Sequence, residues 1–206
     1  VTAMRYVGID PSTKTGFVAL DQAGNVLVEK ELTGIGKEDP KRMASMIREV
    51  IAYLRRDDVV CIEGFGFASQ QAVQLGGIGW GIRIAMYCRG MEYIEAAPSQ
   101  LKKFASGKGT TKKDELGIHI YKRWGYEHRS DNVRDAYVLA RIAMEIDEAQ
   151  KTGYIKKVPI HQGEVVQAIL HPPEKKKKKN EHSPVMQARD GILLRLKQNM
   201  YSQKSI

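Results

Sequence analysis

The sequence predicts an α/β domain built on a mixed five-stranded sheet with helices on both faces. Three observations predict it. Three short β-rich runs separated by turn signals open the chain, an apolar pattern of helical period begins at Asp39, and beyond it strands and helices alternate.

Arg5 to Asp10 (RYVGID) is a short apolar run, and Pro11-Ser-Thr-Lys-Thr-Gly16 turns the chain into a second β-rich stretch, Phe17 to Leu20. Asp21 to Asn25 (DQAGN) is another turn, after which Val26 to Leu32 alternates apolar and polar residues as a half-exposed strand does. These three strands are expected to be antiparallel. Behind Pro40, which suits a first helical turn, Met43, Met46, Ile47, Val50, Ile51 and Leu54 recur at helical spacing. Val59 to Ile62 reads as a buried strand ending on Glu63. Gly64, Gly66, Gly76, Gly77, Gly79 and Gly81 then interrupt the chain, predicting a glycine-rich loop that leads into a helix over Ile82 to Cys88. Met91 to Ala96 fits a fifth strand, and Leu116 to Trp124 and Asn132 to Ile146 fit two further helices. Past residue 150 the pattern weakens at Pro159, Pro172, Pro173, the run Lys175 to Lys179 and Pro184, with a short helix expected at Val185 to Leu196. The organisation expected is one globular domain over 4–150 and a basic C-terminal extension over 151–206, part of it linker.

With 206 residues and 42% hydrophobic content the chain can bury a substantial core. No apolar run approaches the roughly 18 residues that span a bilayer, and the N-terminus lacks a secretory pattern, so a soluble, cytoplasmic protein is expected. Cys61 and Cys88 have no ligand spacing around them and read as small core residues. The formal charge of +9 is unevenly spread: residues 1–150 carry 21 Lys+Arg against 20 Asp+Glu, and residues 151–206 carry 12 against 4. A near-neutral body with a strongly basic end suits an enzyme whose tail holds a polyanion, most simply nucleic acid.

The acids carry the chemistry. Asp10 and Glu63 each end an apolar strand, where side chains converge at a sheet edge, and Asp131 and Asp135 lie one turn apart on a helix. Carboxylates brought together repel and raise one another's pKa unless a cation is present. Oxygen donors without a His/Cys cluster favour Mg²⁺, with Mn²⁺ as a substitute, over Zn²⁺. Two such ions about 4 Å apart suit phosphodiester hydrolysis.

The strings VGIDPSTKTGFVAL, VVCIEGFGF, APSQLKKFASGKGTTKKDEL and SDNVRDAYVLARIA resemble, in order and spacing, the motifs of RuvC-type Holliday junction resolvases, especially the versions carried by bacteriophages. The match covers about residues 5–146. The resemblance implies an RNase H-like fold, a homodimer, and divalent-metal cleavage of four-way DNA junctions. Under it Asp10 is the first-strand acid, Glu63 the fourth-strand acid and Asp135 the last acid of the closing helix. Three residues before that last acid, where the bacterial pattern has an acid or histidine, this chain has Asn132. Either Asp131 substitutes as a ligand, the reading preferred from sequence, or Asn132 orients a ligand or a water.

Between residues 102 and 123, seven basic side chains stand against Asp114 and Glu115, which makes this stretch a natural phosphate track. Lys102, Lys108, Lys112 and Lys113 are its candidate DNA contacts, and the Gly107-Lys-Gly-Thr-Thr turn lets backbone amides approach a phosphate. By the resemblance, Lys102 and Lys113 fall where the family places junction-contacting or transition-state-stabilising lysines. Phe65 and Phe67 follow Glu63 in a glycine-containing loop; the resemblance, whose family uses an aromatic here as a wedge against unpaired bases, implies that one stacks at the junction and the other is core. The run Gly76 to Gly81 suggests small-residue helix packing, and the helix it opens is a candidate dimer interface. GIDPSTKTG also resembles the phosphate hairpin of actin-like kinases, but that fold needs two such domains and the length leaves no room. An RNase H acting on RNA–DNA hybrids, or a catalytically silent branched-DNA-binding protein, are the remaining alternatives.

Overall fold

The computed structural model describes residues 3–66 and 71–172. The chain divides into two compact units at Pro172. The second unit, with the lysine run and the helix expected at 185–196, lies outside the described residues.

The elements run β1 (Tyr6–Asp10), β2 (Thr15–Leu20), β3 (Val26–Leu32), α1 (Lys41–Tyr53), β4 (Val59–Glu63), α2 (Ala72–Cys88), β5 (Ile94–Ala96), α3 (Pro98–Ser106), α4 (Lys113–Trp124), α5 (Asp131–Thr152) and α6 (Ile160–Leu170). The five strands form one mixed sheet in the order β3-β2-β1-β4-β5. β1 pairs antiparallel with β2 and β2 with β3, whereas β1 with β4 and β4 with β5 are parallel. The expected five-stranded mixed sheet is therefore present.

Side-chain alternation divides the sheet's contacts between two cores. Tyr6, Val18, Leu20 and Cys61 pack with α3, α4, α5 and α6. Val7, Ile9, Phe17, Ala19, Val60 and Ile62 pack with α1 and α2 on the other face. β1 and β2 are buried throughout, as strands covered on both faces must be. β3 is the edge strand; Leu32 at its end is buried and Val28 half-buried against the second core, and Val26 and Leu27 are in solvent.

Four elements differ from the sequence expectation. α2 begins at Ala72 rather than Ile82 and takes Gly76, Gly77, Gly79 and Gly81 into the helix. None of the four has a positive φ, so none serves a turn, and Gly77, Gly79 and Gly81 serve packing. A Cβ on Gly81 would overlap the Ile47 side chain, and one on Gly79 would come within 2.7 Å of the Phe65 ring. β5 is shorter than expected because the Met91 amide still closes the end of α2, donating to the Met86 carbonyl. α3 was unforeseen, although its signals are present: Pro98 in the first turn, Gln100 accepting the Ala97 amide, and Gly107 at φ 91° as the left-handed C-cap. α6, beyond residue 150, belongs to the first unit, where it buries Val165 and Val166 and ties to α3 through Gln162 Nε2 donating to the Phe104 carbonyl.

α5 crosses the sheet in backbone contact with it. A Cβ built on Gly8 would overlap the Ala136 carbonyl oxygen, and one on Gly16 would overlap the Asn132 carbonyl. Asn132 Nδ2 also donates to the Lys14 carbonyl at 2.8 Å, tying the β1–β2 turn to the first turn of α5. Gly8→Ala should therefore destabilise the domain by about 3 kcal/mol or more, read as a fall in thermal midpoint. Gly76→Ala, where an added Cβ meets nothing within 4 Å, should leave it unchanged or raise it slightly; equal effects from the two would contradict the close crossing.

Candidate active site

The register Ile9↔Ile62 sets the parallel strands β1 and β4 so that Asp10 and Glu63 follow side by side at their C-terminal edge. Alternation puts Asp10 on the same face as Tyr6 and Gly8, and Glu63 on the same face as Cys61, which is the face α5 covers. Asp135 stands one turn into α5. All three acids line one open cavity of about 830 Å³, together with Asn132, Lys102 and Lys113.

Asp10 is buried, and Glu63 and Asp135 are partly buried. Burial, then the charge of Glu63 and a side-chain hydrogen bond with it, pushes the Asp10 carboxyl well above its ordinary range; Lys113 pulls the other way. Burial raises Glu63 to about 7, with the bond to Asp10 opposing and the Asp135 charge reinforcing. Burial and the Asp10 charge raise Asp135 to about 7, again opposed by Lys113. With Glu63 and Asp135 raised to about 7 and Asp10 raised with them, the three acids hold less than three negative charges near neutrality.

The donor set, carboxylates and an amide with no thiol or imidazole, suits a hard divalent cation. As the side chains stand, no group of three among the described residues could enclose a metal ion.

Asp131 differs from the reading preferred from sequence. It does not line the cavity; it is the first residue of α5, capped by Ser130, and forms an ion pair with Arg134. Asn132, the alternative, is at the cavity wall. Neighbouring helix positions point about 100° apart, so the two side chains face different ways. The charge of Asp131 adds to the rise at Asp135.

Lys113 opens α4, where a cation opposes the helix dipole and is disfavoured unless anions lie near. Its influence on all three acids supplies them. Lys102, on α3, acts on Glu63. Lys108 and Lys112 are exposed in the α3–α4 connection and outside the cavity lining. That connection is braced by Thr111, whose hydroxyl donates to the Lys108 carbonyl at 2.9 Å and accepts from the Ser106 hydroxyl at 2.7 Å. Phe65 lines the cavity, its ring 5.3 Å from that of Trp80, and Phe67 lies outside the described residues. Arg83 also lines the cavity and was not foreseen. Its signal was available: it is the only charged residue of α2.

No family model and no curated protein matches the sequence. Among solved structures, Thermus thermophilus RuvC matches with a TM-score of 0.56 at 21% identity, over 75% of this chain and 99% of that one. T. thermophilus RuvC in complex with a Holliday junction substrate matches with a TM-score of 0.53 at 20% identity over the same shares. The chain therefore has an RNase H-like fold. Within that class its arrangement of sheet and helices is RuvC-like. No helix among the described residues is long and apolar enough to cross a membrane.

The crowded acids make a prediction about stability. A carboxyl whose folded pKa is raised contributes stability that is fully present below its unfolded pKa, near 4.5 for Glu63, and lost as pH rises through about 7. In chelating buffer at pH about 8, Glu63→Gln should thus be more stable than the parent by on the order of 1–2 kcal/mol, about 3–6 °C in Tm. The gap should close at pH about 4. A variant that melts lower at both values would mean the acids are not in conflict.

Proposed function

We propose that this chain is a divalent-metal-dependent endonuclease that cleaves four-way DNA junctions and other branched DNA. The observation that carries the reading is the meeting of Asp10, Glu63 and Asp135 with Lys102 and Lys113 around one open cavity. The RuvC-like fold, solved for Thermus thermophilus RuvC with a Holliday junction, supports the choice of substrate.

Asp10, Glu63 and Asp135 would hold two Mg²⁺ ions, or Mn²⁺ in their place, with Asn132 rather than Asp131 as their polar neighbour. When bound, the ions supply activation of the attacking water and stabilisation of the leaving 3′ oxygen. The protein's own groups do the rest. The acids, raised by burial and by one another's charge, would lose their protons to bind the cations. Lys113 offsets their charge and, with Lys102, attracts the scissile phosphate. Lys108 and Lys112 extend the phosphate track along the DNA arm, and Phe65 presents an apolar wall on which an unpaired base can stack. The basic region beyond residue 150 adds non-specific affinity for the polyanion.

Paired cuts across a junction call for two copies of the site. α2 exposes Val73, Trp80, Ile84 and Tyr87, which with Gly77 repeat at alternating steps of four and three along one face, the spacing of a helix–helix seam. This face is the proposed homodimer interface. Ile84→Glu should convert a dimer to a monomer in light scattering; an unchanged mass would remove the interface.

Purified protein should cut a labelled four-way junction in Mg²⁺ or Mn²⁺ and not in EDTA, with weaker action on forks and none on linear duplex. Asp10→Asn and Glu63→Gln should each lower cleavage by at least about 1000-fold while junction binding survives; normal cutting by either would remove the metal assignment. Cutting confined to an RNA–DNA hybrid would instead make the protein an RNase H, and binding without cutting a silent junction-binding protein.

A further inference from the structure

Arg83 is a buried cation, 2% exposed, in a helix that is otherwise uncharged. Such a charge is costly unless paired and hydrogen-bonded. Its guanidinium reaches three separate elements. Nη1 donates to the Gly79 carbonyl of α2 at 3.1 Å. Nη2 donates to the Glu63 carbonyl of β4 at 2.9 Å and to Glu95 Oε2 of β5 at 2.7 Å, and Nε donates to the same Glu95 oxygen at 3.2 Å. The carbon at the centre of the guanidinium lies 4.3 Å from the centroid of the Phe65 ring, which Trp80 flanks at 5.3 Å.

We propose that Arg83 is a positioning residue for cleavage: it clamps the Glu63 main chain and the Phe65 ring to α2, so that the acid and the apolar wall keep one geometry. The inference rests on the nuclease reading above. Glu95 is half exposed, so water screens the ion pair, and replacing a buried ion pair with apolar side chains is often neutral for stability. What an apolar residue cannot supply is the planar fork that holds carbonyls of two different elements at once. Glu63 is oriented from behind through its own carbonyl, and the residue that does this belongs to the helix whose outer face carries the apolar seam.

The test compares full-length wild type, Arg83→Met and Arg83→Lys on a four-way junction in saturating Mg²⁺. Arg83→Met should lower kcat by about 10- to 100-fold, with a smaller change in KM and junction Kd, about threefold or less, because the lysines carry the phosphate contacts and only the Phe65 wall moves with the clamp. Arg83→Lys, which keeps the charge without the fork, should recover only a small part of that loss and serves as the test variant if Arg83→Met does not fold. Hydrogen exchange should quicken in the Glu63–Gly66 segment of either variant while β1 and α5 stay protected. An unchanged kcat, full rescue by lysine, or losses in kcat and junction affinity that run in parallel with a falling Tm would each overturn the proposal. If wild type cuts no branched DNA, the nuclease reading fails. The exchange result then decides by itself whether Arg83 holds that segment.

Discussion

The domain depends on the backbone contact between α5 and the two central strands. Gly8 and Gly16 have no side chain, so the helix comes down to the level of the β1 and β2 backbones at Ala136 and Asn132. That contact brings Asp135 over the sheet edge where β1 and β4 end, and it is reinforced by the bond from Asn132 to the Lys14 carbonyl. Raised by one methyl group at either glycine, the helix would carry its acid away from Asp10, and the core beneath it would lose its close fit.

A second constraint comes from the opposite face. α2 packs against α1 through Gly81 at Ile47, and its Gly79 admits the Phe65 ring. The same helix therefore does three things with three faces: it closes one core, supports the segment that follows Glu63, and leaves an apolar seam in solvent. Arg83 is the link between them, because its fork spans α2, β4 and β5.

The cavity is where stability and chemistry oppose each other. Burial raises Asp10, Glu63 and Asp135 above the carboxylate range, and each is further affected by its neighbours. The fold holds them there through strong packing elsewhere: β1 and β2 are completely buried and α5 is lined with alanine, valine, leucine and isoleucine side chains at full burial. Lys113 at the start of α4 opposes the rise at all three, a cation in a helix position that would otherwise repel it.

The sequence by itself determined the strand ends carrying Asp10 and Glu63, the helical periods of α1, α4 and α5, and the basic stretch around Lys102 and Lys113. These are local properties: turn chemistry, apolar period and composition are written within a few residues of where they act. Tertiary structure decided the rest. Gly76 to Gly81 read as a loop because glycine breaks isolated helices, and only the side chains of Met43, Phe65 and Ile47 against Gly77, Gly79 and Gly81 explain why the helix needs glycine at those three. Asp131 and Asn132 are adjacent, so no local pattern separates them; the angle at which α5 crosses Gly16 puts Asn132 at the cavity and leaves Asp131 to Arg134. Arg83 becomes intelligible only when β4 and β5 arrive beside it, since its partners lie 12 and 20 residues away. Contacts of that kind depend on which surfaces meet, and the spacing of residues along one chain does not encode that.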